Sequence, residues 1–409
     1  MLVKNTFTHD ARVLREAKTL QQAGHQVQVV ALGAPDLAET ETTSDGIVID
    51  RVSRGPGSSL RAVSDPTRAH NSTSRPAATL KRQAVRLVKY AARSPLSSYV
   101  QRGIDERMLA RVVEFSPDII HAHDLNTLEV AVALKKKLGV PLVYDSHEIA
   151  SDRNHHTSAQ KRKSESDERR LLPNVDHVIM VSHGCAQYTT DKYGITLPTV
   201  IMNTPELSSA EAATRSLRAE FTIPESHTVL VHQGSLQKNR GVEETIQAVR
   251  EIPDCTYIII GYGQHRPFLE EFVRTENLSD KVKFFGPVPS EQLVEWAASA
   301  DIGICTIVGK TKSYLYAMPN KLFEYTMAGL PVVASNYPDM GTYVSDNHMG
   351  VTCDPESPQD IRRAINELIS NPDLRRQCAE GSREARNRFN WSVEKEKLLA
   401  IYNELGASK

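Results

Sequence analysis

PNKLFEYTMAGLPVVASN, running from Pro319 to Asn336, reads as a loop, a short helix and a buried strand. Pro319 fits the first helical position, where its missing N–H costs nothing. Leu322, Phe323 and Met327 then recur at helical spacing, and Gly329 supplies the left-handed residue that ends the helix. LPVVAS follows as a short, apolar, β-branched run, the pattern of a strand buried on both faces of a parallel sheet. A helix start of this kind exposes unpaired N–H groups and a positive dipole end, which suit a phosphate. Lys321 falls in the first turn, where a cation is unfavourable for the helix, and this local conflict points to an anionic ligand. An ordinary amphipathic α/β unit with a solvated Lys321 fits the same residues, so the stretch alone leaves both readings open.

The neighbouring stretches repeat the pattern. A second α/β series runs through TVLVHQGS, CTYIIIGYG, VKFFG, DIGICTI, LPVVAS and GVTC, each followed by a helical pattern. It opens after NTPELSSAEAATRS, a polar stretch near Asn203 that reads as a linker. Before it, Asp10 is placed to cap a helix with the stripe Val13, Leu14, Ala17 and Leu20, followed by the strands AGHQVQVVAL and GIVIDRV. A long helical stretch from about Thr79 to Phe115 leads to DIIHAHD, a helix through Lys137, and PLVYDSHE. SAQKRKSESDERRLL is a charged surface helix, and HVIMVS is a central strand with Ser182 able to cap the next helix. Met1 to Val3 is short for a first strand of about five or six residues, which leaves an abbreviated strand or a start placed too late. A helical tail from about Pro372 to Leu405 carries Phe389, Trp391 and Tyr402 as anchors. Alternating strands and helices specify parallel, doubly wound sheets. The expected division is a Rossmann-like domain over residues 1–202, a second over 203–385 and a terminal helix over 386–409. Ligands then bind at the carboxyl ends of the strands, in a cleft.

At 409 residues the chain has room for two domains, and 40 % hydrophobic with 24 % charged residues describes an ordinary soluble globular protein. Five scattered cysteines without a C-x-x-C pair argue for buried reduced thiols in a cytosolic protein, not for a disulfide framework or zinc site. No signal peptide and no apolar run of membrane-spanning length is present. The net charge of −1 conceals an asymmetry, because residues 51–102 carry eleven Lys or Arg against Asp65 alone. Such a block suits an anionic surface or substrate, while the Gly, Ser and Pro of residues 53–80 equally suit a solvated, partly disordered insertion.

Within GSLQKNRGVEETI, Gly234 permits close backbone approach, and Lys238 and Arg240 precede a helix beginning near Val242. Arg beside a helix N-terminus is a phosphate-binding combination, each charge-assisted bond contributing roughly 1.5–3 kcal/mol. Gly261 and Gly263 form a lone G-x-G, which a tight strand-to-helix turn explains as well as a ligand does. His121 and His123 end one strand, and His147 and Glu148 end the next. Alternation points His121 and His123 to one face, but no third metal ligand has diagnostic spacing. An acid, base or hydrogen-bonding role for His123 therefore stands ahead of metal binding, with a satisfied structural histidine as the alternative. The polar pair His155 and His156 carries no expectation. No D-x-D and no G-x-x-x-x-G-K-[ST] occurs, which removes the usual metal–nucleotide-sugar carboxylates and the common ATPase reading.

RGVEETIQAV, IIIGYG, VKFFGPVPSEQLVEWAASADIGICTI and PNKLFEYTMAGLPVVASN, in this order, resemble the donor half of family-4 glycosyltransferases of GT-B fold. DARVLREAKTLQQAGHQVQVVAL, DIIHAHDLNTL and VYDSHE are similar to a bacterial branch of that family, and RFNWSVEKEKLLAIYNEL resembles its closing helix, which crosses back to the first domain. The resemblance implies two Rossmann-like domains with a cleft between them. It implies metal-independent transfer of a sugar from a nucleotide diphosphate sugar to an acceptor hydroxyl, with retention at the anomeric carbon and no cofactor beyond that co-substrate. Glu324 then corresponds to the second carboxylate of the Glu-x7-Glu motif and would bind the ribose, while Tyr316 replaces the first. Ser235 takes the place of a usual Arg, Arg240 that of a usual Lys, and Lys321 could supply the missing cation. The implied donor contacts are Gly234, Ser235, Arg240, Gly261, Gly263, Tyr316, Asn320, Lys321, Leu322 and Glu324, with Phe285 and Val288 beside the nucleobase. His123, Arg240 and Lys321 would serve the reaction, and His9, Asp10 and His147 would face the acceptor.

The expectation is a cytosolic enzyme of surface polysaccharide, glycolipid or related glycan synthesis, with no nucleic-acid partner. The basic 51–102 block adds peripheral contact with anionic lipid at the inner membrane face, as for a lipid-linked acceptor. A nucleotide-sugar epimerase or phosphorylase on the same fold, and a non-catalytic partner subunit, are the alternatives.

Overall fold

β-branched runs alternate with amphipathic stripes along the chain, and they pair as parallel strands covered by helices. The structure is a computed structural model that describes residues 1–8, 10–55, 95–154, 156–207 and 215–406. Two compact units emerge, one of Met1–Asp145 with Asn174–Asp176 and Asn403–Lys409, the other of Ser146–Pro173 with His177–Tyr402.

In the first unit Asp10 caps α1 (Ala11–Gln22), its carboxylate accepting from the Val13 N–H. Val13, Ala17 and Leu20 are buried, as their spacing predicts. β1 (Gln28–Leu32) pairs in parallel with β3 (Val48–Val52), and β2 (Thr40–Thr42) adds antiparallel to β3. Sequence reading misses β2 because its Thr-Glu-Thr is exposed throughout and shows no apolar alternation. α2 (Pro95–Phe115) is the described part of the long helix expected from Thr79, and most of the basic insertion also falls outside the described residues. β4 (Ile120–His123), α3 (Leu125–Leu138) and β5 (Leu142–Ser146) complete a parallel βαβ unit. In the short lead-in Leu2 bridges in parallel to both Val30 and Ala122.

The second unit begins with α4 (Ser158–Leu171), β6 (His177–Met180), α5 (His183–Tyr193) and β7 (Thr199–Val200). Ser182 caps α5 as expected. After α6 (Leu217–Phe221), six βα repeats follow. The strands are β8 (Thr228–Gln233), β9 (Cys255–Ile260), β10 (Val282–Phe285), β11 (Ile302–Cys305), β12 (Val332–Ser335) and β13 (Gly350–Cys353). Helices α7 (Val242–Val249), α8 (Arg266–Thr275) and α9 (Leu293–Ala298) follow β8, β9 and β10, and α10 (Lys312–Leu315) with α11 (Asn320–Ala328) links β11 to β12. After α12 (Pro338–Asp346) and β13, the helices α13 (Pro358–Ser370), α14 (Pro372–Ala385) and α15 (Trp391–Glu404) close the chain. All six strands are parallel, in the order β10-β9-β8-β11-β12-β13, the doubly wound arrangement.

β8, β9, β11 and β12 are buried along their whole length, which is why they read as unbroken apolar runs. All five cysteines are buried free thiols, and Trp391 and Tyr402 are buried anchors. Among the described residues no helix is long and apolar enough to cross a membrane.

Pro319 stands one place earlier than expected, as the N-cap of α11 with extended backbone, and Asn320 takes the first helical position. Gly329 ends α11 at φ +65°, as its sequence position predicts. The helix is held to the sheet by Tyr325, whose hydroxyl donates to the Val231 carbonyl at 3.0 Å and accepts from the Gln233 N–H at 3.2 Å. Gly303 on β11 makes room for that ring, because a Cβ there would fall 2.5 Å from it. Gly303→Ala should therefore destabilise the fold by roughly 1–3 kcal/mol, read as a lower urea midpoint at unchanged slope.

Candidate functional site

The strand order of the second unit reverses between β8 and β11, and such a reversal opens a crevice outside the strands' carboxyl ends. β8 ends there with His232 and Gln233, both 0 % exposed, ahead of Gly234. Polar side chains buried this deeply need partners. The Gln233 amide donates to the Glu324 carboxylate at 2.8 Å, and the Lys321 ammonium lies 2.9 and 3.2 Å from the two ring nitrogens of His232. Lys321 is only 6 % exposed, so the solvated reading of this residue does not hold. Burial, with the charge of Arg240 adding to it and Glu324 opposing, brings Lys321 down from 10.5 to about 7. That corresponds to about 5 kcal/mol against the charged form. His232 is pushed well below its ordinary value by burial and then by Lys321, which makes it a neutral acceptor.

Arg240 approaches the same crevice on the loop between β8 and α7. Gly241 sits at φ +73°, where an added Cβ would lie 1.5 Å from the Thr306 carbonyl oxygen, so the loop meets the end of β11 main chain to main chain. The Arg240 guanidinium lies 4.9 Å over the Tyr314 ring, and its buried Nε has no hydrogen-bond partner among the described residues. No carboxylate of the described residues lies within ion-pair distance of either Lys321 or Arg240. Asn154 supports the loop, donating to the Lys238 carbonyl and the Tyr314 hydroxyl and accepting from Asn239.

The other expected positions divide between crevice and framework. Gly234, at φ +114°, is exposed with open space around it, and Ser235 beside it is half-buried. A Cβ on Gly261 would lie 2.0 Å from the Gly234 carbonyl oxygen, and one on Gly263 would lie 2.1 Å from that of Leu236. The G-x-G turn thus has a packing reason of its own. Asn320 is exposed and accepts from Asn203 at 2.9 Å, while Leu322 is wholly buried in the core. Phe285 stands edge-on to Trp296 and Phe221 at 4.8 and 5.7 Å, and Val288 is half-buried against the same apolar cluster. The Tyr316 carbonyl accepts from Ser182, and its ring occupies the space a Cβ on Gly184 would need. His147 is half-buried, and the adjacent Glu148 accepts from Ser313 at 3.3 Å. Sequence reading missed His232, Gln233 and Asn154. For the first two a signal existed, a polar His-Gln pair ending an otherwise apolar strand.

In the first unit His121 and His123 do share a face, their rings stacked at 4.3 Å. The fold adds Glu16 and Asp145, so that four buried ligand-type side chains lie within 4.8 Å of one another. Arg12 is the fifth member. Its guanidinium donates to both oxygens of Asp145, at 2.7 and 2.9 Å, and pairs with Glu16 at 3.1 Å. His123 Nδ1 lies 3.4 Å from Asp145, and Nε2 lies 3.9 Å from Glu16. Two nearly parallel rings do not converge their in-plane lone pairs, and the guanidinium already covers the Asp145 carboxylate, so the group fits a buried ion-pair network better than a metal cage. Asp124, next after His123, holds φ +64° and ψ 154°, a strained conformation for a residue with a Cβ. Of the residues expected at the acceptor, His9 lies outside the described residues. Asp10 spends one oxygen on the α1 cap and the other on Asn5.

Burial, and then the neighbouring His123, push His121 well below its ordinary value. The unfolded chain takes up this proton near pH 6.5 while the folded chain refuses it, so the contribution is complete above that value and is lost as pH falls towards the folded one. Urea midpoints should drop between about pH 7.5 and 5.5, and less steeply in His121→Gln. Zinc or EDTA should leave the midpoint unmoved, whereas a zinc-dependent rise would reinstate the metal cage.

A sequence profile described as Glycosyltransferase Family 4 matches residues 11–204, and one described as Glycosyl transferases group 1 matches residues 214–385. The D-inositol 3-phosphate glycosyltransferase of Corynebacterium urealyticum is 26 % identical over 312 residues, covering 71 % of this chain and 72 % of its own. Among solved structures, sucrose-phosphate synthase from Thermosynechococcus elongatus superposes with a TM-score of 0.75 at 19 % identity, over 96 % of this chain and 92 % of that one. Anabaena HepE in complex with UDP-glucose gives a TM-score of 0.71 at 17 % identity, over 98 % of each chain. With both profiles matched in order along most of its length, the chain belongs to the family-4 glycosyltransferases of GT-B fold.

Proposed function

We propose that this glycosyltransferase moves a sugar from a nucleotide diphosphate sugar to an acceptor hydroxyl, with retention at the anomeric carbon and without a metal. The reading rests chiefly on one observation, two cations without carboxylate partners among the described residues at the strand-order reversal, beside a helix start with no side-chain cap. A departing diphosphate needs positive potential where its charge develops, and Arg240, Lys321 and the N-terminal dipole of α11 supply it. Glu324, one turn further along α11, would accept from ribose hydroxyls in this reading, with the Gln233 amide donating to one of its oxygens. Gly234 leaves the main chain open to a phosphate, and Phe285 and Val288 stand at the end of β10 where a base would lie. For His123, 2 % exposed, a role in orienting the reacting sugar is carried by the family resemblance alone.

The acceptor reading is a glycan or lipid-linked hydroxyl compound. The relative named for D-inositol 3-phosphate and the HepE complex with UDP-glucose make those compounds the first to test. Contact with anionic lipid through residues 51–102 belongs to this proposal with a reduced set of cations. Arg51 is buried, bonding the Thr6 and Ala38 carbonyls and Glu41, and Arg54 donates to the Gly33 carbonyl. Vesicle co-sedimentation that is independent of anionic lipid and of salt would remove that contact.

Glu324→Ala and Arg240→Ala should each lower kcat/KM for the donor at least tenfold, about 1.4 kcal/mol or more. His123→Ala should reduce kcat more than donor affinity, and EDTA should leave turnover unchanged. A panel of UDP-, GDP- and dTDP-sugars with and without acceptor is the test. Turnover without acceptor would indicate an epimerase, absence of nucleotide binding would indicate a non-catalytic subunit, and wild-type kinetics in Glu324→Ala would falsify the donor assignment.

A further inference from the structure

Lys321 is held in a way that phosphate binding alone does not require. A lysine that only neutralises phosphate can stand in solvent, yet this one is buried against a neutral imidazole. The groups facing it are Glu324 from its own helix, His232 from β8, Cys305 from β11 and Arg240 from the loop after β8. Only Glu324 among these is a carboxylate, and Gln233 engages one of its oxygens. With no anion in the crevice, little holds the ammonium in its charged form, and at about pH 7 roughly half of the molecules carry it.

We propose that His232 is a positioning residue for Lys321, and that a nucleoside diphosphate binds together with one proton, taken up by the Lys321 amine. This rests on the donor reading of the crevice. The proton comes from solvent and forms a new N–H bond on Nζ, while His232 accepts a hydrogen bond and gains no proton. Arg240 stays charged throughout, and Lys321 matches it in full only when the ligand is present. Donor affinity consequently falls as pH rises above about 7, by at most tenfold per pH unit.

The test is isothermal titration of the full chain with UDP, GDP and inorganic pyrophosphate in buffers of low and high ionisation enthalpy, whose slope counts protons. The expected uptake is about half a proton at pH 7, rising towards one at pH 8.5. Lys321→Arg, whose guanidinium stays charged, should bind without uptake. His232→Phe should move the pH midpoint of uptake downward, and His232→Gln, which offers a carbonyl acceptor, should bring it back. Binding without uptake in the wild type, or uptake persisting in Lys321→Arg, overturns the coupling and leaves the donor reading standing. A midpoint unmoved in His232→Phe overturns the positioning role. Failure of every probe to bind overturns the donor reading and this proposal together.

Discussion

The reversal of strand order between β8 and β11 is the constraint on which the rest of the second unit depends. Helices leave the sheet on opposite faces at that point, which opens a crevice outside the carboxyl ends of the two strands. A parallel strand buried on both faces cannot end in polar side chains unless something beyond it satisfies them. α11 does so. Lys321, Glu324 and Tyr325 stand three and four residues apart, and that spacing gathers them on one helix face. Each meets a consecutive part of β8, Lys321 at His232, Glu324 at the Gln233 side chain, and Tyr325 at the main chain of Val231 and Gln233. Moving α11 by one residue would therefore break three contacts at once.

The same logic explains the loops. Arg240 reaches the crevice because Gly241 lets its turn lie against β11, and Gly261 and Gly263 let the next loop lie against the one that follows β8. Side chains at these glycines would push apart the main-chain layers that bring the cations together. Motif readings tend to credit glycines with ligand contact. Here three of them carry framework strain relief, and only Gly234 faces open space.

Much of this was legible in the residues. Periodicity places β6 and the six strands β8 to β13, most plainly the fully buried β8, β9, β11 and β12, which read as apolar runs, but it misses the two-residue β7. Asp10, Ser182 and Gly329 act as the caps their types predict. Strand order is not legible, since alternation of strands and helices is the same for any doubly wound sheet. The partners of His121 and His123 were equally hidden, because Glu16 and Asp145 come from other elements and only folding brings them within reach. Lys321 is the mixed case. Its conflict with the helix dipole was visible, but its burial against His232 was not, because the resolution of that conflict runs across the sheet and not along the helix.

Two of the buried cations among the described residues make an instructive contrast. Arg12 lies deep in the first unit, yet it touches Asp145 through two hydrogen bonds and Glu16 through a third contact, so its charge meets opposite charge at hydrogen-bonding distance. Burial would lower its basicity, and these carboxylates more than offset that, leaving it firmly protonated. Lys321 is as deeply placed and, among the described residues, has only a neutral ring within that distance, while the nearby Arg240 adds repulsion. A buried cation with its counter-charges in the fold is a structural element. A buried cation without them costs several kcal/mol, and in the proposed reading the diphosphate of the donor offsets that cost.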